Sequence, residues 1–383
     1  MCRINDDNQS EMTDEKWDIR LWPASFSQWS PKKARSKQIA VLMSGGVDSS
    51  VTAHLLKEGG WEVLGITMKI PISCDTGGRR CCGADAALVC RELDVPHYFV
   101  DVARAFEELI INRFRRSYTE GQTPNPCVDC NRLLKFSLLW DFLEQKFGIG
   151  YLATGHYARV LKSGNEFRLG RAKDKTKDQS YFLYGIARRK LPYFVLPLGE
   201  LSKEHVRQIA AKRYLKVAER SESMELCFAG QGDYRSVLSG DEVNRAGDIT
   251  DMKGNKIGMH KGISNYTLGQ RRGIGFAGGR PLYVGRIDAE TNTIALGSRE
   301  EISSRIIKAN QINVLIPEKL DGGERFSGKI RSYGEPQPCK IVDVSGETIT
   351  VEFDEPQFAP CPGQKLVLYD NADNIVAGGT ISV

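Results

Sequence analysis

Ile39-Ala40-Val41-Leu42-Met43-Ser44-Gly45-Gly46-Val47-Asp48-Ser49-Ser50 passes from a short apolar run through a serine- and glycine-rich turn into a helix. Val47, Val51 and Leu55 recur at helical spacing, and Val63-Leu64-Gly65-Ile66 is a second apolar run, so the segment reads as a β-α-β unit. Two glycines let the backbone turn tightly, while serine hydroxyls, main-chain N–H groups and the helix N-terminus all favour an anion. Such a loop holds pyrophosphate. A Walker loop would end in Gly-Lys-Ser/Thr and a dinucleotide fingerprint would space its glycines differently, so neither applies. The bland alternative is a plain strand-turn-helix, against which the serines and Asp48 argue together. Asp48 is read either as a ligand for a Mg²⁺ ion accompanying a nucleotide or as a helix cap.

Outward from this unit the alternation continues. A helix is predicted around 85–93, a strand at 97–101, helices at 104–118 and 133–147, and a strand at 151–154, which together mark a parallel sheet with helices on both faces. After about residue 220 long helices vanish and glycines punctuate the chain. From about 303, alternating runs such as Lys340-Ile341-Val342-Asp343-Val344 read as strands of a small terminal β-barrel. Residues 1–36 are polar, with Trp17, Trp22 and Trp29, and read as a mostly disordered extension whose tryptophans can dock on the body. The expected organisation is therefore a 1–36 extension, an α/β catalytic domain over 37–220, a central domain over 221–302 and a barrel over 303–383.

At 383 residues the chain is too long for one small module. Hydrophobic residues at 41% and charged residues at 26% are near globular averages, and no run approaches the roughly 18 apolar residues a membrane helix needs. No membrane partner is expected. A net charge of +5 permits a polyanion as partner without demanding one. Ten cysteines in so long a chain favour thiol or metal chemistry over a disulfide framework, and the acidic N-terminus argues against an organellar transit peptide. A reducing cytoplasm is the expected location.

Thr123-Pro124-Asn125-Pro126-Cys127-Val128-Asp129-Cys130-Asn131 places two thiols on a proline-stiffened turn before a helix, where a thiol is easily deprotonated. Leu226-Cys227-Phe228 supplies a third. The two form a reversible disulfide, or the three ligate zinc or an iron-sulfur cluster, or one attacks while another carries sulfur. Cys90, Cys339 and Cys361 read as buried apolar cysteines, and Cys74, Cys81 and Cys82 are assigned no role. Thr154-Gly155-His156-Tyr157-Ala158 follows a strand at the sheet edge where ligands bind, giving His156 a nucleotide role or a structural one.

The first loop matches the PP-loop of N-type ATP pyrophosphatases. Together with Thr123-Pro124-Asn125-Pro126, Cys130-Asn131, Thr154 to Ala158, Lys177-Asp178-Gln179-Ser180-Tyr181 and Leu226-Cys227-Phe228, it resembles the tRNA-specific 2-thiouridylase family. The likeness runs on through Gly258 to Gly262, Tyr266 to Gly273 and Ala359-Pro360-Cys361-Pro362-Gly363-Gln364, so it spans nearly everything after residue 36. The resemblance implies an adenine-nucleotide hydrolase-like fold and a reaction. ATP, with Mg²⁺, adenylates O2 of the wobble uridine in tRNAs for Lys, Glu and Gln, and sulfur then displaces AMP to give 2-thiouridine. It implies ATP positions at Leu42, Met43, Ser44, Gly45, Gly46, Val47, Asp48, Ser49, Met68 and Gly155. Asn125, Pro126 and Cys127 would line the target base. Lys177, Asp178, Gln179, Arg331 and Ser332 match tRNA-contacting positions, with the salt dependence that phosphate contacts bring.

By the same resemblance Cys227 carries a persulfide and Cys130 attacks or resolves it. The donor is a cysteine desulfurase, a sulfur-relay protein or free sulfide. One departure matters: many members carry aspartate where this chain has Cys127. Cys127, Cys130 and Cys227 thus also resemble the three-thiolate set of tRNA thiolases that bind a [4Fe-4S] cluster, and both sulfur routes stay open. A PP-loop ligase or amidotransferase acting on a small carboxylate, and a non-catalytic RNA-binding iron-sulfur protein, are the alternatives.

Overall fold

The computed structural model describes residues 17–24, 37–71, 82–213, 226–229, 234–238, 245–276, 279–320 and 323–382. Cys74 and Cys81, and the expected domain boundary near 220, lie outside them.

The first sheet is built from β1 (Arg20–Pro23), β2 (Gln38–Leu42), β3 (Glu62–Lys69), β4 (His97–Asp101) and β5 (Tyr151–Ala153). A hairpin of β6 (Ala158–Ser163) and β7 (Glu166–Arg171) leads on to β8 (Phe194–Val195), and the sheet order is β1-β4-β3-β2-β5-β8. All neighbours are parallel except β1 on β4. Ile39 and Val41 face one buried layer and Ala40 the other, which is why β2 is an unbroken apolar run rather than an alternating one. The helices are α1 (Val47–Glu58), α2 (Cys82–Glu92), α3 (103–119), α4 (126–147) and α5 (Lys203–Lys212), with π-type turns inside α3 and α4. The chain leaves β2 toward β3 and β4 and later returns to β2's other side as β5. That reversal opens a crevice at the carboxyl ends of β2 and β5, where open α/β sheets bind ligands.

The N-terminal reading needs amending. Residues 20–23 form an edge strand, Trp17 is 5% exposed, Trp22 stacks on Phe99 at 6.0 Å, and Lys69 Nζ lies 5.2 Å from the Trp22 ring centre. Trp17 and Trp22 dock on the body, as the sequence allowed, because large aromatic surfaces gain most from burial; Trp29 lies outside the described residues.

Two β units follow. β9 (Gly247–Asp251), β10 (Lys256–His260), β11 (Tyr283–Asp288) and β12 (Thr293–Gly297) make a four-stranded sheet with its own core of Ile249, Val284, Ile294 and Leu296. β13 (Ser303–Val314), β14 (Arg325–Lys329), β15 (Gln337–Ser345), β16 (Thr348–Phe358), β17 (Lys365–Tyr369) and β18 (Ile375–Ser382) close into a barrel through the β18–β13 pairing. No helix among the described residues is long and apolar enough to cross a membrane.

Candidate functional site

The PP-loop after β2 is held by its own serines. Ser44 Oγ and Ser49 Oγ stand 3.2 Å apart, Ser44 N–H donates to Ser49 Oγ at 3.2 Å, and Gly46 N–H donates to Ser44 Oγ at 3.3 Å. Gly45 takes φ 75°, a left-handed turn that a side chain would strain. Gly46 is the N-cap of α1. Asp48, in the first turn, is therefore not the cap: the Tyr157 hydroxyl donates to its Oδ1 at 2.9 Å, and Lys203 Nζ lies 2.7 Å from each carboxylate oxygen. Gly155 faces the same loop so closely that an added Cβ would sit 2.8 Å from both Asp48 C and Ser49 N. The two strand ends of the crevice thus meet at a glycine, and their facing backbones can share one ligand.

The loop's base is fixed by a buried relay. Thr67 Oγ1 donates to Met43 O at 2.9 Å, so its lone pair must accept from His97 Nε2–H, 2.8 Å away. His97 Nδ1 is then bare, and it has no partner among the described residues. Burial pushes this imidazole down to about 4, against 6.5 when unfolded. The unfolded chain therefore binds the proton first, and stability present above pH 6.5 is lost as pH falls toward 4. Denaturant unfolding at pH 8 and pH 5 should differ by about 2 kcal/mol from this group alone. His97→Gln should flatten that difference; an unchanged pH slope in the variant would contradict the assignment.

His156 follows Gly155, with Nδ1 2.8 Å from Thr154 Oγ1 and its ring edge-on to Phe136. Burial first, and the Lys135 ammonium second, push it down to about 3. It is neutral at pH 7 and works as a hydrogen-bonding imidazole, not as a cation.

The thiols lie at the start of α4. Asn125 is its N-cap, its Oδ1 accepting from Val128 N–H at 3.3 Å, and Pro126 occupies the first turn. Both are buried, so these two expected base-lining positions also hold the turn itself together. Cys127 is open to solvent and Cys130 is buried beneath it. Cys227 is open as well, its turn pinned by Phe228 packed edge-on between Phe106 and Phe114. The thiols of Cys130 and Cys127 both act electrostatically on Cys227, Cys130 more strongly, so the structure brings the two sequence sites together.

The expected easy deprotonation is not what the site provides. Burial pushes the Cys127 and Cys130 thiols up and Cys227 to about 12. Cys127 and Cys227 reach water yet are hemmed in by protein, and desolvation of the thiolate outweighs the short first turn of α4. Lys135, which donates to Asn131 Oδ1 at 3.0 Å, opposes this at all three thiols. All three are free cysteines in this structure.

The expected tRNA positions divide. The Asp178 side chain is 2% exposed, ion-paired to Arg171 at 3.1 Å and accepting from Ala172 N–H and Ser180 N–H. Its carboxylate braces the loop from within. Gln179 accepts from Tyr157 N–H at 3.0 Å, which ties the loop to Gly155 and His156, while Lys177 is half-buried. Arg331 donates to Phe358 O and Ala359 O, so its guanidinium shapes the 358–361 turn, and Ser332 O accepts from Lys329 Nζ. Leu42 and Met68 lie on β2 and β3, beside the loop. Sequence reasoning missed Lys203, Lys135, Asp129 and Lys365. Asp129 sat inside a quoted motif and Lys135 lay one turn past it, but nothing local marks Lys203 or Lys365.

Among the described residues no three His, Cys, Asp or Glu side chains are gathered as ligands for a metal ion, the three cysteines and Asp48 included.

Comparison with known proteins covers all three units. Residues 37–231 match the family model described as the tRNA methyl transferase HUP domain, 236–298 the tRNA methyl transferase PRC-barrel domain, and 304–381 the aminomethyltransferase beta-barrel domain. The tRNA-specific 2-thiouridylase MnmA of Lachnoclostridium phytofermentans is 41% identical over 360 residues, 90% of this chain and 99% of that protein. That of Moorella thermoacetica is 41% identical over 89% of this chain and 98% of its own length, and MnmA 1 of Syntrophus aciditrophicus is 42% identical over 90% and 92%. Matched end to end from the PP-loop to the last barrel strand, the chain belongs to the tRNA-specific 2-thiouridylase family.

Proposed function

We propose that this protein is an ATP-dependent tRNA 2-thiouridylase acting on the wobble uridine of tRNAs for Lys, Glu and Gln in the cytoplasm. The observation that carries the reading is the span of α4. Its first turn holds Cys127 and Cys130, and about two turns on Phe136 packs on His156 beside the PP-loop. One helix therefore ties a sulfur site to a nucleotide site.

The chemistry needs both. The uridine O2 attacks the α-phosphorus of ATP and expels pyrophosphate, for which the PP-loop N–H groups and serines are the cradle and Lys203 a neighbouring cation. Asp48 is engaged by Lys203, so a Mg²⁺ ion would be held by the nucleotide's own phosphates and would offset their charge. The terminal sulfur of a Cys227 persulfide then attacks C2 and AMP leaves. Cys130 attacks Cys227 Sγ, the persulfide bond breaks, the base keeps sulfur as its thiocarbonyl, and a Cys130–Cys227 disulfide remains for an external thiol to reduce. Lys135 offsets burial at whichever sulfur must ionise. The target base has to leave its stack to reach these groups. The thiols as they stand do not form a metal-ligand set, so no step is drawn through an iron-sulfur cluster. The persulfide comes from a cysteine desulfurase or a relay protein.

The test is nucleoside mass spectrometry on unmodified tRNA-Glu transcript after anaerobic incubation with Mg-ATP and either a cysteine desulfurase with cysteine or sulfide alone. The proposal expects 2-thiouridine with the desulfurase. Formation with sulfide alone, by protein that holds iron and acid-labile sulfide, would replace the persulfide route with a cluster. Absence under both conditions would overturn the function.

A further inference from the structure

Lys365 begins β17 and is 3% exposed; its Nζ lies 3.1 Å from Asp129 Oδ1, in the turn between Cys127 and Cys130. Asp129 is itself 8% exposed, and its Oδ1 has no aligned hydrogen-bond donor among the described residues, so the ammonium charge is what compensates it. The same ammonium donates to Thr380 Oγ1 at 3.1 Å, and the Tyr181 hydroxyl bonds both the N–H and the C=O of Lys365. Its neighbours grip the preceding residues. Gln364 donates to Thr123 O at 3.0 Å and to Pro124 O at 3.3 Å, and Thr123 N–H donates to Pro362 O at 2.8 Å. Gly363, at φ 91°, approaches so closely that a Cβ would stand 3.0 Å from Thr123 O.

This arrangement is costly. Arg132 and Arg113 repel the ammonium, and burial holds Lys365 below the usual lysine range even with Asp129 beside it. A buried ion pair is commonly no more stabilising than well-packed apolar side chains, so stability alone does not account for it. What it does supply is register between the barrel and one short turn.

We propose that Lys365 and Asp129 are positioning residues through which the barrel sets the thiol turn for sulfur transfer, leaving adenylation independent of them. The proposal rests on the thiouridylase reading for its reaction, and on geometry alone for its effect on the thiols. The PP-loop, Gly155 and Lys203 make none of the 362–365 bonds named above.

The test compares full-length wild type, Lys365→Met, Asp129→Asn and the double variant. Lys365→Met strands a buried carboxylate and can fail to fold; the double variant removes both charges and guards against that. In the double variant, at wild-type Tm, single-turnover 2-thiouridine formation should fall about tenfold or more while tRNA KM and tRNA-dependent pyrophosphate release stay within about twofold. The rate at which iodoacetamide labels Cys130 in the free protein should rise about fivefold or more as the turn loosens. A stable double variant with wild-type thiolation and labelling would overturn the proposal, as would pyrophosphate release, thiolation and Tm falling together. If the wild type makes no 2-thiouridine, the thiouridylase reading fails, and the labelling rates decide the positioning role: unchanged rates overturn it.

Discussion

Cys130→Ser and Cys227→Ser variants should each lose 2-thiouridine formation by on the order of 10³-fold or more while continuing to release pyrophosphate when tRNA is present. Serine keeps the size and removes the sulfur. Cys130 lies in the apolar core, so its serine hydroxyl should cost about 1–3 kcal/mol, while the change at Cys227, open to solvent in a turn anchored by Phe228, should cost about 1 kcal/mol or less, both checked by Tm. The split between the two readouts is the informative part. Adenylation uses the crevice between β2 and β5, and sulfur transfer uses the start of α4. Equal loss of pyrophosphate release would mean that the thiols take part in activation, contrary to the separation the geometry describes. Cys127→Ser should cost far less, within about tenfold, because neither bond-forming step is assigned to it.

Gly155→Val is expected to weaken ATP binding by about 10- to 100-fold, read by calorimetry with a non-hydrolysable analogue. The reason is specific to this position. A Cβ here meets main-chain atoms of Asp48 and Ser49, not the end of a flexible side chain that can swing away. The first turn of α1 must move, and with it Ser49 Oγ and the N–H groups that form the cradle. Thermal stability should fall by only about 1–3 kcal/mol, the usual cost of overpacking. A variant that binds the analogue normally would show that the crevice is not the nucleotide site.

Much of this was legible in the residues themselves. The β2 run, the glycine pair and the helical spacing of Val47, Val51 and Leu55 are local signals, and they appear in the structure as β2, the loop and α1. The terminal barrel was likewise visible, because period-two runs between turn residues are local. Residues 20–23 were not, since a four-residue edge strand depends on β4, whose paired residues lie 75 to 81 positions away, and not on its own pattern. The site shows the same division. Its motifs gave the cysteines and the loop. Lys203 and Lys365 became visible only when the fold set them against Asp48 and Asp129, since a lone lysine in sequence looks like any solvated one. The thiol ionisation expected from helix position was reversed by burial, a property of the assembled protein that spacing does not encode.

The grip of residues 362–365 on the 123–129 turn also has a consequence in time. Chains are made from the N-terminus and their domains fold in that order. The crevice between β2 and β5 uses residues no later than Lys203, whereas the thiol turn finds its partners only when β17 has been made. During synthesis, the part of the protein that handles ATP is therefore complete well before the part that handles sulfur. A nascent chain passes through a stage in which the cysteines assigned to sulfur transfer lie in a turn still lacking its final support, and these are the residues a protective chaperone or reductant would have to serve.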